Sequence, residues 1–190
     1  MTIAPRSSHP SDTANPGAAT ATRHVPPART VVLGIGNPLM GDDGVGIQTI
    51  QRLIDQPDQL AFAGGSVEVI DGGTLGYLLI DRLTDVAAWI VVDAANLGAS
   101  AGDVNVFRGE DMDAFLTANR SSSVHEVGLI DLMEMLALTG SLPPRRALVA
   151  VQPEIIDWQT DLSPTVAASV ARAEAAVIEV LRDWQGVTTS

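Results

Sequence analysis

Thr30 to Ile35, reading TVVLGI, is a run of β-branched and apolar residues with a glycine near its end. A strand that faces water on one side alternates polar and apolar residues. One that is apolar at every position is buried on both faces, as in a parallel sheet covered by helices. Parallel neighbours must be joined by crossovers long enough to hold a helix. This run therefore commits the chain to an α/β architecture, provided the order strand, turn, helix recurs.

The order does recur. Gly36-Asn37-Pro38 is turn chemistry, and after Asp42-Asp43-Gly44 the residues Val45, Ile47, Ile50, Leu53 and Ile54 approximate a helical stripe. An Asp just before a helix reads first as an N-cap, which gives that role to Asp42 and leaves Asp43 less needed for it. Ser66 to Ile70 is a second strand, followed by the turn Asp71-Gly72-Gly73 and by Thr74 as N-cap of a helix to about Leu83. Trp89 to Val92 is a third strand, closed by Asp93. Val104 to Phe107 follows too soon for a helical crossover, so it is expected antiparallel to the third strand and at an edge.

Ser123 and Glu126 fit a capping box, opening a helix whose apolar face is Leu129, Leu132, Met133 and Leu136. Ala147 to Val151 is the last strand. Ser163, as N-cap before Pro164, opens the last helix, with Val166, Val170, Ala173, Val177, Val180, Leu181 and Trp184 on its buried side. The predicted fold is a three-layer α/β sandwich: a mostly parallel twisted sheet of about five strands with helices on both faces.

A chain of 190 residues accommodates one such domain, here 30–186. Residues 1–29, rich in Ser, Thr, Ala and Pro, are expected to form a disordered arm, and without a long apolar segment they do not read as a secretory signal. The absence of cysteine excludes disulfides, thiolate metal sites and a cysteine nucleophile, and makes the cytoplasm the default compartment. Eleven Lys and Arg against 23 Asp and Glu give a net charge of -12, which opposes nucleic acid and anionic membranes as partners. No apolar run approaches the roughly 20 residues of a membrane span.

In open α/β sheets, ligands bind beyond the carboxyl ends of the strands, where loops and helix N-termini converge. That edge receives Asn37 to Asp43, Asp71 to Thr74, Asp93 to Asn96 and Gln152-Pro153-Glu154. His125 joins them if its helix leads back into a parallel strand. Two carboxylates and an imidazole from three segments suit a borderline divalent metal such as nickel or zinc, with positions left for water or substrate. The positive end of a helix disfavours imidazolium, so a first-turn His125 stays neutral and able to ligate. Each residue also has a structural use: Asp93 as an acid held by a donor or cation, His125 as a histidine of the capping region. His9 and His24 fall in the arm and carry no assigned role.

Two other motifs compete. Gly34-Ile35-Gly36 begins a dinucleotide fingerprint, but Leu39 stands where the third glycine belongs, and no Walker lysine follows. Gly98-Ala99-Ser100-Ala101-Gly102 matches the nucleophile elbow of serine hydrolases, which needs a sharp strand-to-helix turn. Here a strand-like segment follows, so a surface loop of small residues is expected.

Leu33-Gly34-Ile35-Gly36-Asn37-Pro38-Leu39, followed by Asp42-Asp43-Gly44-Val45-Gly46, resembles the opening signature of the nickel-iron hydrogenase maturation proteases. Asp71-Gly72-Gly73-Thr74, Val92-Asp93-Ala94, His125-Glu126-Val127-Gly128-Leu129, Val151-Gln152-Pro153-Glu154 and Leu162-Ser163-Pro164 resemble later segments in the family's order, so the likeness runs from about Thr30 to Trp184. At Asp43 some members carry Glu.

The resemblance implies a cytoplasmic endopeptidase that removes a short C-terminal extension from the hydrogenase large-subunit precursor after nickel has been inserted. The family's metal-contacting trio maps onto Asp43, Asp93 and His125. Nickel is expected to arrive with the substrate and not as a permanent cofactor, with zinc or cadmium able to substitute in vitro. Asn37, Asp71, Gly72 and Gly73 are expected to bind substrate by shaping the loop walls and offering backbone N–H groups. Which of the trio acts in the chemistry stays open between metal-polarised carbonyl, metal-activated water and carboxylate general base. The rival from another class is a nickel-dependent chaperone that holds the precursor without cutting it.

Overall fold

The computed structural model describes residues 29–63, 67–74, 79–119 and 124–186, the last range without the side chains of 124–127. The expected arm (save Arg29), the Ser66 strand start and the Ser123 cap lie outside these residues. The five strands are β1 (Thr30–Gly34), β2 (Val67–Asp71), β3 (Ala88–Ala94), β4 (Val104–Arg108) and β5 (Arg145–Val151). They form one sheet in the order β2-β1-β3-β5-β4. All neighbours are parallel except β4, which lies at the edge and runs antiparallel to β5. The edge position and reversed direction of β4 are as the short connection requires, with β5 as its hydrogen-bonded partner.

The α-helices among the described residues are α1 (Val45–Asp55), α2 (Ile80–Leu83), α3 (Glu110–Ala118), α4 (Val124–Leu138), α5 (Pro164–Ala167) and α6 (Val170–Gln185). The two sheet faces build separate cores, because successive strand residues point to opposite sides. Val31, Leu33, Trp89, Val91, Leu148 and Ala150 pack with Leu83 of α2, Met112 and Leu116 of α3, and Leu129, Leu132 and Leu136 of α4. Val32, Ile90, Val92, Ala147, Val149 and Val151 pack with Ile50 and Leu53 of α1 and Ala173, Val177, Val180 and Leu181 of α6. Full burial of each Leu, Ile or Val side chain is worth about 1.5–3 kcal/mol. This doubly covered sheet explains why TVVLGI carries no polar alternation.

Three local readings are corrected. In α1 the buried side is Val45, Gly46, Thr49, Ile50 and Leu53, whereas Ile54 is exposed. Thr49 is admitted because its hydroxyl donates to the Val45 carbonyl one turn back at 2.8 Å. The last helix is two pieces: Ser163 caps α5 by accepting from Val166 N, and α6 starts after Ser169, whose hydroxyl donates to Val166 O at 2.6 Å. Helix α3 is one that periodicity does not announce, since only Met112 and Leu116 of its nine residues are buried. It is fixed by Arg146 of β5, whose guanidinium grips both carboxylate oxygens of Asp113.

Candidate functional site

Strand order creates the site. The chain leaves β1 for β2 on one side and later returns as β3 on the other, so the loops beyond β1 and β3 part and leave a crevice between them. Gly34 is level with Val92, and Ile35 N donates to Val92 O at 2.9 Å. The next loop is tied in as well: Gly36 N donates to Gly73 O and Gly72 N to Gly34 O, both at 2.8 Å. The loops beyond β1 and β2 are thus hydrogen-bonded to each other and to β3, and form one floor.

Glycine is required where this floor meets the chain behind it. Gly36 has φ +135, and a Cβ there would stand 1.8 Å from the Asp43 carbonyl oxygen. A Cβ on Gly46 would stand 2.2 Å from Ile35 O and 2.3 Å from Val92 O. The start of α1 is therefore driven against the ends of β1 and β3, and this brings Asp43 to the crevice.

Asp43 belongs to a 3-10 turn, Gly41–Gly44, and is 6% exposed. Its Oδ2 accepts the Asn37 N–H at 2.9 Å, while Asn37 Oδ1 accepts the Leu39 N–H at 3.0 Å. Asn37 thus folds its own loop with its side chain and orients Asp43 with its backbone. Asp71 is exposed and accepts Gly73 N at 2.9 Å, closing its own turn. The N–H groups of Asn37, Gly72 and Gly73 are engaged inside the protein, and what these residues contribute to the crevice is wall shape.

Asp93 is the sixth residue of β3, 2% exposed, in register with Ala150 of β5. Its position in the alternation matches Trp89 and Val91, which face the layer of α2, α3 and α4. Helix α4 belongs to that layer and precedes the parallel strand β5, so its N-terminus lies at the carboxyl edge of the sheet. His125 occupies the first turn of that helix, and its side chain is outside the described residues. Among the described residues no three His, Asp or Glu side chains gather closely enough to hold a metal ion. Of the expected trio, Asp43 and Asp93 have described side chains and His125 does not.

Asp42 does not cap α1. Neither the 3-10 turn nor α1 has a side-chain cap. Its carboxylate is fully buried and accepts from Glu154 N, Ile155 N and both the N–H and hydroxyl of Ser163. Partners more than 110 positions away cannot be read from local patterning. The only sequence signal was a second acid beside a turn that needed one.

The nucleophile-elbow motif has no elbow. Ser100 is exposed in a loop joining β3 to β4, its N–H held by Asp103 Oδ2 at 3.0 Å, and no helix follows it.

Residues 47–180 match the sequence profile of a family described as hydrogenase maturation protease. The chain is 35% identical over 159 residues to the hydrogenase expression/formation protein HupD of Rhodobacter capsulatus, covering 83% of this chain and 73% of the relative. It is 33% identical over 156 residues to the hydrogenase 2 maturation protease of Escherichia coli strain K12, covering 82% and 92%. Among solved structures, the hydrogenase maturating endopeptidase HybD from E. coli superposes with a TM-score of 0.72 at 32% identity, covering 82% of this chain and 93% of that one.

Proposed function

The chain belongs to the hydrogenase maturation protease family, and from that premise we propose that it removes the C-terminal extension of a nickel-iron hydrogenase large-subunit precursor once nickel is in place. The observation that carries this reading is the pair of buried acids on adjacent strand units: Asp93 near the carboxyl end of β3, and Asp43 in the 3-10 turn that follows β1. A carboxylate offers negative charge and oxygen ligands to a cation. Two of them at a topological switch point suit a ligand that brings positive charge.

Nickel enters as part of the substrate. Asp43 and Asp93 offer carboxylate oxygens and His125 an imidazole nitrogen, a donor set matched to a borderline divalent cation. Zinc and cadmium accept the same donors and serve as probes in vitro. Docking of the precursor's metal on this set would hold the following peptide bond beside the crevice, whose walls are the Asn37 loop and the Asp71-Gly72-Gly73 turn. Hydrolysis adds water across the amide, and a carboxylate at this edge supplies a base for the water's proton and an acid for the leaving amine. Action in the cytoplasm is part of the same reading, supported by the absence of cysteine and of any helix, among the described residues, long and apolar enough to cross a membrane.

Incubation with nickel-loaded precursor, followed by mass spectrometry of the large subunit, tests the proposal. A large subunit shortened at its C-terminus, together with the released peptide, is the expected result. An intact precursor held in a stable complex with this protein would instead establish the non-cleaving chaperone.

A further inference from the structure

Asp42, the residue that precedes the proposed ligand Asp43, is a fully buried acid whose carboxylate accepts four hydrogen bonds. Its Oδ2 accepts Glu154 N at 2.8 Å, Ile155 N at 2.8 Å and Ser163 Oγ at 2.9 Å, and its Oδ1 accepts Ser163 N at 2.6 Å. Main-chain bonds lace the same two segments: Asp42 N to Ile155 O at 3.0 Å, Gly41 N to Gln159 O at 2.8 Å and Gln159 N to Leu39 O at 3.1 Å. Met40 and Gln159 pair as an isolated parallel bridge. The segment from Glu154 to Ser163 contains no helix or strand of its own and leaves Ile155, Ile156 and Trp158 exposed, so local structure does not fix its place. Beside those main-chain bonds, the four side-chain hydrogen bonds that attach it converge on one carboxylate.

We infer that Asp42 is a positioning residue, whose buried carboxylate fastens the Glu154–Ser163 segment as a wall beside Asp43 so that the precursor can be captured. The inference rests on the peptidase reading for the identity of what is captured, and on the hydrogen bonds alone for the fastening. All four groups around the carboxylate are donors. Only a side chain whose two oxygens both accept satisfies them together, since an amide of the same shape turns its own N–H groups toward a donor. The four bonds also explain how an acid can be fully buried here: donors to the carboxylate replace its hydration.

The test compares the full chain with Asp42→Asn by amide hydrogen exchange and by precursor processing kinetics. Exchange at Glu154, Ile155 and Ser163 should accelerate by about tenfold or more, with the amides of β1, β3 and β5 unchanged. The KM for nickel-loaded precursor should rise by about tenfold while kcat per folded molecule stays within about threefold, because the wall moves and Asp43 keeps its bond from Asn37. Ser163→Ala, which removes the hydroxyl donor to the carboxylate together with the α5 cap bond from Val166 N, provides a milder variant should Asp42→Asn fail to fold, and should move both readouts in the same direction. Unchanged exchange in these segments would overturn the inference. So would faster exchange with an unaltered KM, or a loss of activity that only tracks the folded fraction. A wild type that leaves the precursor uncut would overturn the peptidase reading and with it the role in capture, whereas an active wild type with indifferent variants would overturn this inference alone.

Discussion

Asn37 and Asp43 close the loop beyond β1 on itself, the backbone N–H of one donating at 2.9 Å to the carboxylate of the other. The bond crosses six positions and aims an acid, 6% exposed, at the crevice between β1 and β3. The same carboxylate is thus oriented by the loop and offered, in the proposed function, to the precursor's nickel.

Asp43→Asn should reduce precursor processing by about a hundredfold, since the amide loses charge and one donor oxygen while keeping the shape of the turn. Asp43→Glu should retain part of the activity, because the same chemistry is displaced by one methylene. Rates of tail release from nickel-loaded precursor, followed by mass spectrometry, check both. Wild-type rates in Asp43→Asn would remove this residue from the site.

Gly36→Ala should destabilise the fold by about 3 kcal/mol or more, or prevent folding. Its φ of +135 and the Asp43 carbonyl 1.8 Å from a Cβ leave no relaxed position for a methyl group. Thermal unfolding followed by circular dichroism measures the loss. A variant as stable as the wild type would show that the chain at Gly36 relaxes to admit a methyl group.

His125→Ala should abolish tail removal, and Ser100→Ala should leave it within about twofold of wild type. Ser100 is exposed in a loop with no helix behind it, so it lacks what a serine nucleophile needs. Loss of processing in the serine variant, with His125→Ala still active, would reverse the assignment.

Glu68 gives the fold a pH dependence with a definite sign. Hydrogen bonds from Arg82 and then Arg29 hold its carboxyl below the ordinary 4.5. A depressed folded-state value means that the ion pairs contribute fully above that ordinary value and are lost as pH falls below it, through the lower folded one. The difference in melting temperature between wild type and Glu68→Gln should therefore be constant near neutral pH and shrink below about pH 4.5, and added salt should reduce it at neutral pH. A difference that persists unchanged at pH 3 would show that Glu68 acts by packing and not by charge.

Much of this protein was determined by its sequence alone. Continuous apolar runs at β1, β3 and β5 called for a sheet covered on both faces, and turn residues and caps such as Ser163-Pro164 marked where strands gave way to helices. These are local properties, carried by the period of side-chain burial and by backbone preference, and ordered motifs made the family recognisable. Asp43 and Asp93 were legible as acids placed where strands end. What only the tertiary structure decided was non-local. The order β2-β1-β3-β5-β4 put the ends of β1 and β3 side by side, and it is pairing across the sheet, not periodicity along the chain, that chooses neighbours. Asp42 makes the same point on the scale of one residue. As sequence it was a helix cap, and it became the anchor of Glu154, Ile155 and Ser163 because a buried carboxylate takes whatever donors the folded chain brings to it.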